Sequence, residues 1–439
     1  MITTTNKHLA QWAMEYALKQ GCQAAKLLLY ANNGVSFELR NGRMDRLQQA
    51  SECGLSISLY VDGRYGIYST NRLDRKELES FIANSIESTR HLAPDSARVL
   101  PDPARYYKGN LPDLQLFDNR FYDLSPDEKL ALARATADEV MGKDQRIVSV
   151  DTSYRDGENA SYRLASNGFE GESSGTWFYL SASVSIKGEG DSRPADSWSE
   201  NSLFYHALPK TDIGTRALER VLRKSGQRKV KSGKYIMVID PLNANRLLSP
   251  LISALYGSAL QQHNSFLQGR LNTPVASPLL TLRDEPHLQG SNGARYFDNE
   301  GVATAPRLVF EEGILRTYFI DTYHALKMGM PPTVSTPSIL ILQPGNQSLD
   351  ALIADVPSGI LVTGFNGGNC NSSTGNFSYG IEGFLIENGR LTHPINEMNV
   401  TGNMTDLWNA LIAVGNDPMT NRSWRIPSLV FEGVSFSGL

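Results

Sequence analysis

The stretch "AAKLLLYANNGVSFELRNGRMDRLQQASECGLSISLYVDGRYGIYST", residues 24–70, decides the architecture of the first half of the chain. It divides into "AAKLLLYA", "VSFELR", "RMDRLQQA", "LSISLYV" and "RYGIYST". Several of these alternate apolar and polar residues with the period of two that a half-buried strand requires. Asn41-Gly42 and Asp62-Gly63 fall between consecutive stretches. Both dipeptides accept positive φ at both central positions of a two-residue turn, so the segment is predicted to be a β-meander. An amphipathic helix, "MITTTNKHLAQWAMEYALKQG", precedes it. A second, "DRKELESFIANSIESTR", follows, with Asp74 and Glu77 spaced as a capping pair.

The same scheme then returns. Residues 96–120 are aperiodic and rich in Pro and Asp, as a connecting loop is. Ser125-Pro126-Asp127-Glu128 supplies a cap residue, Pro at the first helical position and Glu at the third. After "ALARATADEVMG" come "RIVSVDTSYRD", "ASYRLASN" and "WFYLSASVSIKG", and then a helix, "DIGTRALERVLRKSG". Helix, meander, helix thus occurs twice, predicting an α+β pseudo-repeat with units at 1–95 and 121–226. "RKSGQRKVKSGK" (223–234) is the one basic cluster. Arg223 and Lys224 suit a helix C-terminus, and the rest reads as a solvated linker.

From residue 227 to 439 the pattern changes to a β-rich domain, a barrel or curled antiparallel sheet around one buried helix. That helix is "LLSPLISALYGSALQQH" (247–263). Leu247, Leu248, Leu251, Ile252, Leu255, Tyr256, Ala259 and Leu260 form its apolar stripe, and Ser249, Ser253, Ala254, Gly257 and Ser258 its small-residue back. Pro250 either kinks it or starts a second segment. Hairpins are predicted at Glu312-Gly313 and Asn388-Gly389. A last helix, "NMTDLWNALIAVG", has Asn403 as cap, Leu407, Trp408, Leu411 and Ile412 as its buried stripe and Gly415 as its stop.

Composition excludes several functions. The net charge of −4 gives no general attraction to nucleic acid or anionic membrane. No apolar run approaches a membrane span. The N-terminus lacks the form of a signal peptide. Three cysteines, odd in number and far apart, indicate a reducing compartment, so a cytoplasmic protein is expected. No two of the seven histidines share a turn, and there is no C-x-x-C, so a metal site is not expected from spacing. His263 reads as a dipole cap, and Asp284, Glu285 and His287 in "RDEPH" as a solvated turn. Cys370, in the Gly/Asn-rich "GFNGGNCNSSTGNFS", has neither a nearby histidine nor a following helix N-terminus to activate it.

Four segments carry a resemblance: "YFDNEGVATAPRLVFEEGILRTYFIDTYHALKMG", "LILQPGNQSLDALIADVPSGILVTGFNGG", "STGNFSYGIEGFLIENGRLTHPINEMNVTGNMTDLWNALIAVGND" and "PSLVFEGVSFSG". Together they resemble the TldD/PmbA family, also called the modulator-of-gyrase family. The resemblance implies a two-subunit peptide-cleaving assembly. Its catalytic kind of subunit, TldD, carries H-E-x-x-x-H on the helix described above, plus a later cysteine, to hold zinc and activate water. Here Leu251 and Tyr256 stand where the histidines would be, Ile252 stands where the glutamate would be, and no cysteine follows Cys370. The chain therefore resembles the metal-free kind, PmbA/TldE, with no catalytic residue and no cofactor. The implied partners are a zinc-bearing TldD-like subunit and unfolded peptides. Asn366, Asn369 and Ser373 are candidate contacts from loop composition. The alternative is a homodimeric peptide-binding or regulatory protein of gyrase-modulator type, without a protease partner.

Overall fold

A computed structural model describes residues 2–439. The first half runs α1 (Thr4–Lys19), β1 (Ala24–Arg40), β2 (Arg43–Val61), β3 (Arg64–Thr70), α2 (Arg75–Arg90), α3 (Pro126–Asp138), β4 (Ile147–Ala165), β5 (Phe169–Ile186), β6 (Ala195–Ser202) and α4 (Ile213–Leu222). The six strands form one antiparallel sheet in the order β3-β2-β1-β4-β5-β6. The first strands of the two meanders lie side by side, so the repeat predicted from element order is built as two halves of a single sheet.

Local chemistry sets the element ends. Asp74 accepts the amides of Lys76 and Glu77, and Ser125 with Glu128 makes a reciprocal capping box. At the β1–β2 and β2–β3 turns, Asn41, Gly42, Asp62 and Gly63 all take positive φ. The strands are longer than predicted. Asn32, Asn33 and Gly34 interrupt the apolar alternation, but their backbones pair with β2 on one side and β4 on the other. What read as two strands is therefore one. Strand β6 was missed, because "ADSWSENS" lacks apolar alternation and pairs only as an edge.

All four helices cover one face. Ala10, Ala13 and Ala17 of α1 pack with Leu27, Leu29, Leu55, Ile57 and Leu59. Ala133 of α3 and Ala217 and Val221 of α4 pack with Phe37, Tyr154, Phe178 and Leu180. Each large apolar side chain buried in this way contributes about 1.5–3 kcal/mol. Residues of the other parity, including Arg155, Ser161 and Arg163, line the opposite, polar face.

The second half runs β7 (Gly233–Ile239), α5 (Asn245–Ala254), α6 (Gly257–Gln261), β8 (Leu282–Asp284), β9 (Arg307–Glu311), β10 (Ile314–Leu315), α7 (Thr322–Met328), β11 (Leu340–Leu342), α8 (Leu349–Ala354), β12 (Ser358–Phe365), β13 (Asn369–Cys370), β14 (Asn376–Glu387), β15 (Arg390–Asn403), α9 (Met404–Asn409), β16 (Leu411–Val414), β17 (Trp424–Arg425) and β18 (Leu429–Ser437). Strand β12 pairs with both β7 and β14, which closes β12, β7, β18, β15 and β14 into a ring. The predicted barrel-like sheet is present, and a smaller sheet, β10-β9-β8-β11-β17, lies beside it. The last helix is shorter than predicted. It ends at Asn409, and Leu411–Val414 pairs with β18, leaving Ile412 exposed instead of in a buried stripe.

At the end of α4, Lys224 does more than face the helix C-terminus. Lys224 is buried, with its ammonium 3.1 Å from Asp196 and 2.5 Å from Glu382. It ties the six-stranded sheet to the ring of strands, and its partners are too distant in sequence for local spacing to reveal.

Candidate functional site

The buried helix of the second half is α5 followed by α6. Leu247, Leu248, Leu251, Ile252 and Ala254 are buried, and the indole of Trp408 donates to the carbonyl of Leu247 at 3.2 Å. The helix passes through Pro250 and stops five residues later than that proline would suggest. The break comes at Tyr256, which is extended (φ −73°, ψ 141°). There the Phe319 backbone intrudes: its amide donates to Leu255 and its carbonyl accepts from Gly257 at 2.7 Å. The single long helix predicted for 247–263 is thus two, cut by a neighbouring chain that no local pattern announces. Of the small-residue back, Gly257 does meet a close neighbour, since a Cβ there would lie 2.8 Å from the Cβ of His324. Ser253 and Ser258 face solvent.

Between Asn245 and Gln261 there is no His, Cys, Asp or Glu. Leu251 and Ile252 are each 1% exposed and sit in the hydrophobic core. Tyr256 is half-buried. Burial holds its hydroxyl above the usual pKa, opposed by the Arg295 guanidinium. Arg295 in turn borders a cleft of about 1520 Å³.

This cleft lies between the polar face of the six-stranded sheet and the second half. On its sheet wall the Ser161 and Ser173 hydroxyls are 2.9 Å apart, and Trp177 lies over Gly157, where a Cβ would be 2.7 Å from its ring. Its other wall carries Arg295, Asn421 and Arg425. Arg295 donates to Ser338 and to the carbonyls of Thr336 and Pro337. Arg425 donates to Ser291 at 2.8 Å, and Asn421 to Glu200 at 3.2 Å. Neither histidine nor cysteine lines the cleft. Such a surface offers hydrogen bonds, charge and an aromatic platform, without a nucleophile held against a base.

The predicted contact residues lie elsewhere. Asn366, Asn369 and Ser373 are exposed and do not line the cleft. Asn366 donates its amide to Gly380, Asn369 pairs with Ser378, and the Ser373 hydroxyl bonds Asn264 just beyond α6. The Gly/Asn loop is therefore stitched to the end of the buried helix. In the same loop, burial pushes the Cys370 thiol up, away from thiolate. His263 follows α6 with its ring bonded to Gln268.

"RDEPH" is not a solvated turn. Asp284 ends β8 at 2% exposure and accepts the amides of Ser338 and Ile339 at 2.8 and 3.1 Å. Burial holds its carboxyl above the usual range, with Arg307 3.7 Å away. Its partners come from 54 and 55 residues downstream, so only the fold shows its role.

Sequence models of the PmbA/TldA metallopeptidase match residues 25–89 (domain 1), 119–225 (central domain) and 232–438 (C-terminal domain). The chain belongs to the PmbA/TldD family. Metalloprotease PmbA of Escherichia coli O157:H7 is 25% identical over 417 residues, covering 94% of this chain and 92% of its own. A crystal structure of a modulator of DNA gyrase from Bacteroides thetaiotaomicron is 66% identical, covers all of both chains and superposes with a TM-score of 0.99. TldE of Thermococcus kodakarensis shares the fold, with a TM-score of 0.84 over 98% of this chain and 100% of its own at 20% identity.

A metallopeptidase family implies a metal, and zinc takes nitrogen, sulfur or carboxylate donors. The buried helix presents none. Among the described residues no group of three or more His, Cys, Asp or Glu is arranged to hold an ion. The residues do not fit the metal.

Proposed function

We propose that this chain is the metal-free, non-catalytic subunit of a TldD/TldE-type peptide-cleaving assembly of the cytoplasm. A zinc-bearing TldD-like subunit performs the hydrolysis, and the present chain supplies wall and peptide-binding surface. The observation that carries this reading is the donor-free helix, with Leu251, Ile252 and Tyr256 at the places where the family resemblance sets two histidines and a glutamate. The hydrocarbon of Leu251 and Ile252 can neither ligate zinc nor take a proton from bound water, and burial keeps the Tyr256 phenol protonated.

The cleft supports a binding role. Its volume of about 1520 Å³ exceeds the several hundred Å³ of a small-ligand pocket and suits an extended chain. Trp177 and Tyr296 offer stacking surfaces, and the serine-lined floor offers hydrogen bonds to a peptide backbone. An unfolded segment is recognised well by such a surface because its backbone groups are unpaired.

The test is reconstitution. An unstructured peptide is incubated with zinc and this chain, with a cognate zinc-bearing subunit, and with both. Cleavage that is maximal with both and absent with this chain alone is expected. Chelator-sensitive cleavage by this chain alone would overturn the reading.

A further inference from the structure

Three guanidinium groups border the cleft without an anion to balance them. Arg163, Arg295 and Arg425 all line it, and one loop, residues 290–299, holds all three. Arg295 belongs to that loop, Arg425 donates to Ser291 at 2.8 Å, and Arg163 donates to Asn299 at 3.4 Å. Among the described residues no carboxylate forms an ion pair with any of them. In each, the Nη1 nitrogen has no hydrogen-bond partner among those residues. Burial strips water from Arg163 and Arg295 and lowers their pKa, opposed by the charge of Asp298. Asp298 itself is 2% exposed, and its oxygens accept the amides of Glu300, Val302 and Ser335.

Most other charges of the cleft are matched. Lys7 pairs with Glu172, and Arg155 with Glu38 at 2.8 Å. Glu200 accepts from the Trp198 indole and from Asn421, with Arg216 3.7 Å away. Asp113 accepts the Gln115 amide at 3.0 Å. What is left over is positive. A cation held partly out of water without a counter-charge is costly. A carboxylate relieves that cost by accepting parallel N–H bonds from the planar guanidinium. The sheet also sets a spacing. Trp177 lies opposite Gly157 on the next strand, and Arg163 follows Gly157 on the same face of β4. The step is roughly 20 Å, about six residues of extended chain.

We infer that the cleft selects peptides bearing a carboxylate, which Arg163 and Arg295 receive while Trp177 stacks on a residue about six positions away. This rests on the peptide-binding role proposed above and names the class of peptide. The carboxylate is the free C-terminus or an acidic side chain, since both present the same group to a guanidinium. Arg425 adds to the field that draws it in. A nucleic-acid strand fits less well. The chain carries a net charge of −4, and a polyanion would meet Asp113, Glu172 and Glu200 along the same cleft.

Fluorescence anisotropy of the purified full chain with labelled unstructured peptides tests it. One peptide carries glutamates and a second carries glutamines in their place, each made with a free and with an amidated C-terminus. A carboxylate-bearing form is expected to bind about tenfold more tightly than the uncharged one, and less so at high salt. The form that gains identifies the C-terminus or the side chain as the source. Arg163→Gln is expected to keep the wild-type melting temperature, because its side chain makes only the 3.4 Å bond to Asn299 among the described residues, and to lose the advantage. Arg163→Lys should keep part of it, and Arg390→Gln, an exposed charge outside the cleft, all of it. Equal affinity for charged and uncharged peptides, or an advantage that survives Arg163→Gln, would overturn this inference and leave the proposed function standing. Failure to bind any of the peptides would overturn both the inference and the peptide-binding wall. Tighter binding of a single-stranded oligonucleotide than of every peptide would overturn the inference in favour of a nucleic-acid ligand.

Discussion

The amide of Gly257 donates to the carbonyl of Phe319 at 2.7 Å, at the point where the helical ladder of the buried helix stops. The same glycine leaves room for His324, whose Cβ would be 2.8 Å from an added Cβ. The break in the helix is held by this backbone crossing, and the His324 side chain beside it leaves no room for a Cβ at residue 257. Gly257→Val is expected to overpack against His324 and to cost about 1–3 kcal/mol. Chemical denaturation measures it, with Ser258→Val, at an exposed neighbour, as the control.

A buried ion pair anchors α3 to β4. The Lys129 ammonium is 2.8 Å from Asp156, which is fully buried and also accepts the Tyr154 hydroxyl at 2.9 Å. Asp156→Ala strands a buried cation and is expected to cost about 3–5 kcal/mol. The double change Lys129→Met with Asp156→Ala removes both charges and should recover part of that loss, as a double-mutant cycle will show.

Burial holds the His287 imidazole below its usual pKa of 6.5. In the folded chain the ring stays neutral, while the unfolded chain takes up a proton as pH falls through that value. Stability from this site is therefore full above about pH 6.5 and declines as the medium acidifies. His393 is shifted the same way, by burial and by Arg228. The fall in melting temperature between about pH 7 and pH 5 is expected to shrink in His287→Gln, and further with His393→Gln added. An unchanged slope in the double variant would contradict this.

Trp177 stands in the cleft at 38% exposure over a glycine floor. Trp177→Ala should leave the melting temperature nearly unchanged. It should weaken binding of a fluorescently labelled unstructured peptide by about 1–2 kcal/mol, read by anisotropy. Alanine at Asn366, outside the cleft, should do neither.

Much of the fold can be read from the chain where the signal is local. Asn41-Gly42, Asp62-Gly63, Glu312-Gly313 and Asn388-Gly389 all take the positive φ their turns demand. The caps at Asp74, Ser125 and Asn403 bond as their spacing requires. Readings failed where a distant partner overrides the local pattern. Asn32-Asn33-Gly34 stays in a strand because β2 and β4 flank it. Leu411–Val414 becomes a strand because β18 is available. Asp284 is buried because amides from Ser338 and Ile339 reach it. The cleft was illegible for the same reason, since Arg163, Trp177, Arg295 and Asn421 meet only through the fold.

The central claim is that a helix without donors leaves this chain unable to hold zinc. Equilibrium dialysis of the purified chain against micromolar zinc, with metal counted by mass spectrometry after desalting, tests it most directly. The account predicts no retained zinc, and no change in melting temperature on adding the ion. One zinc per chain, retained through desalting and removed only by a chelator, would contradict it.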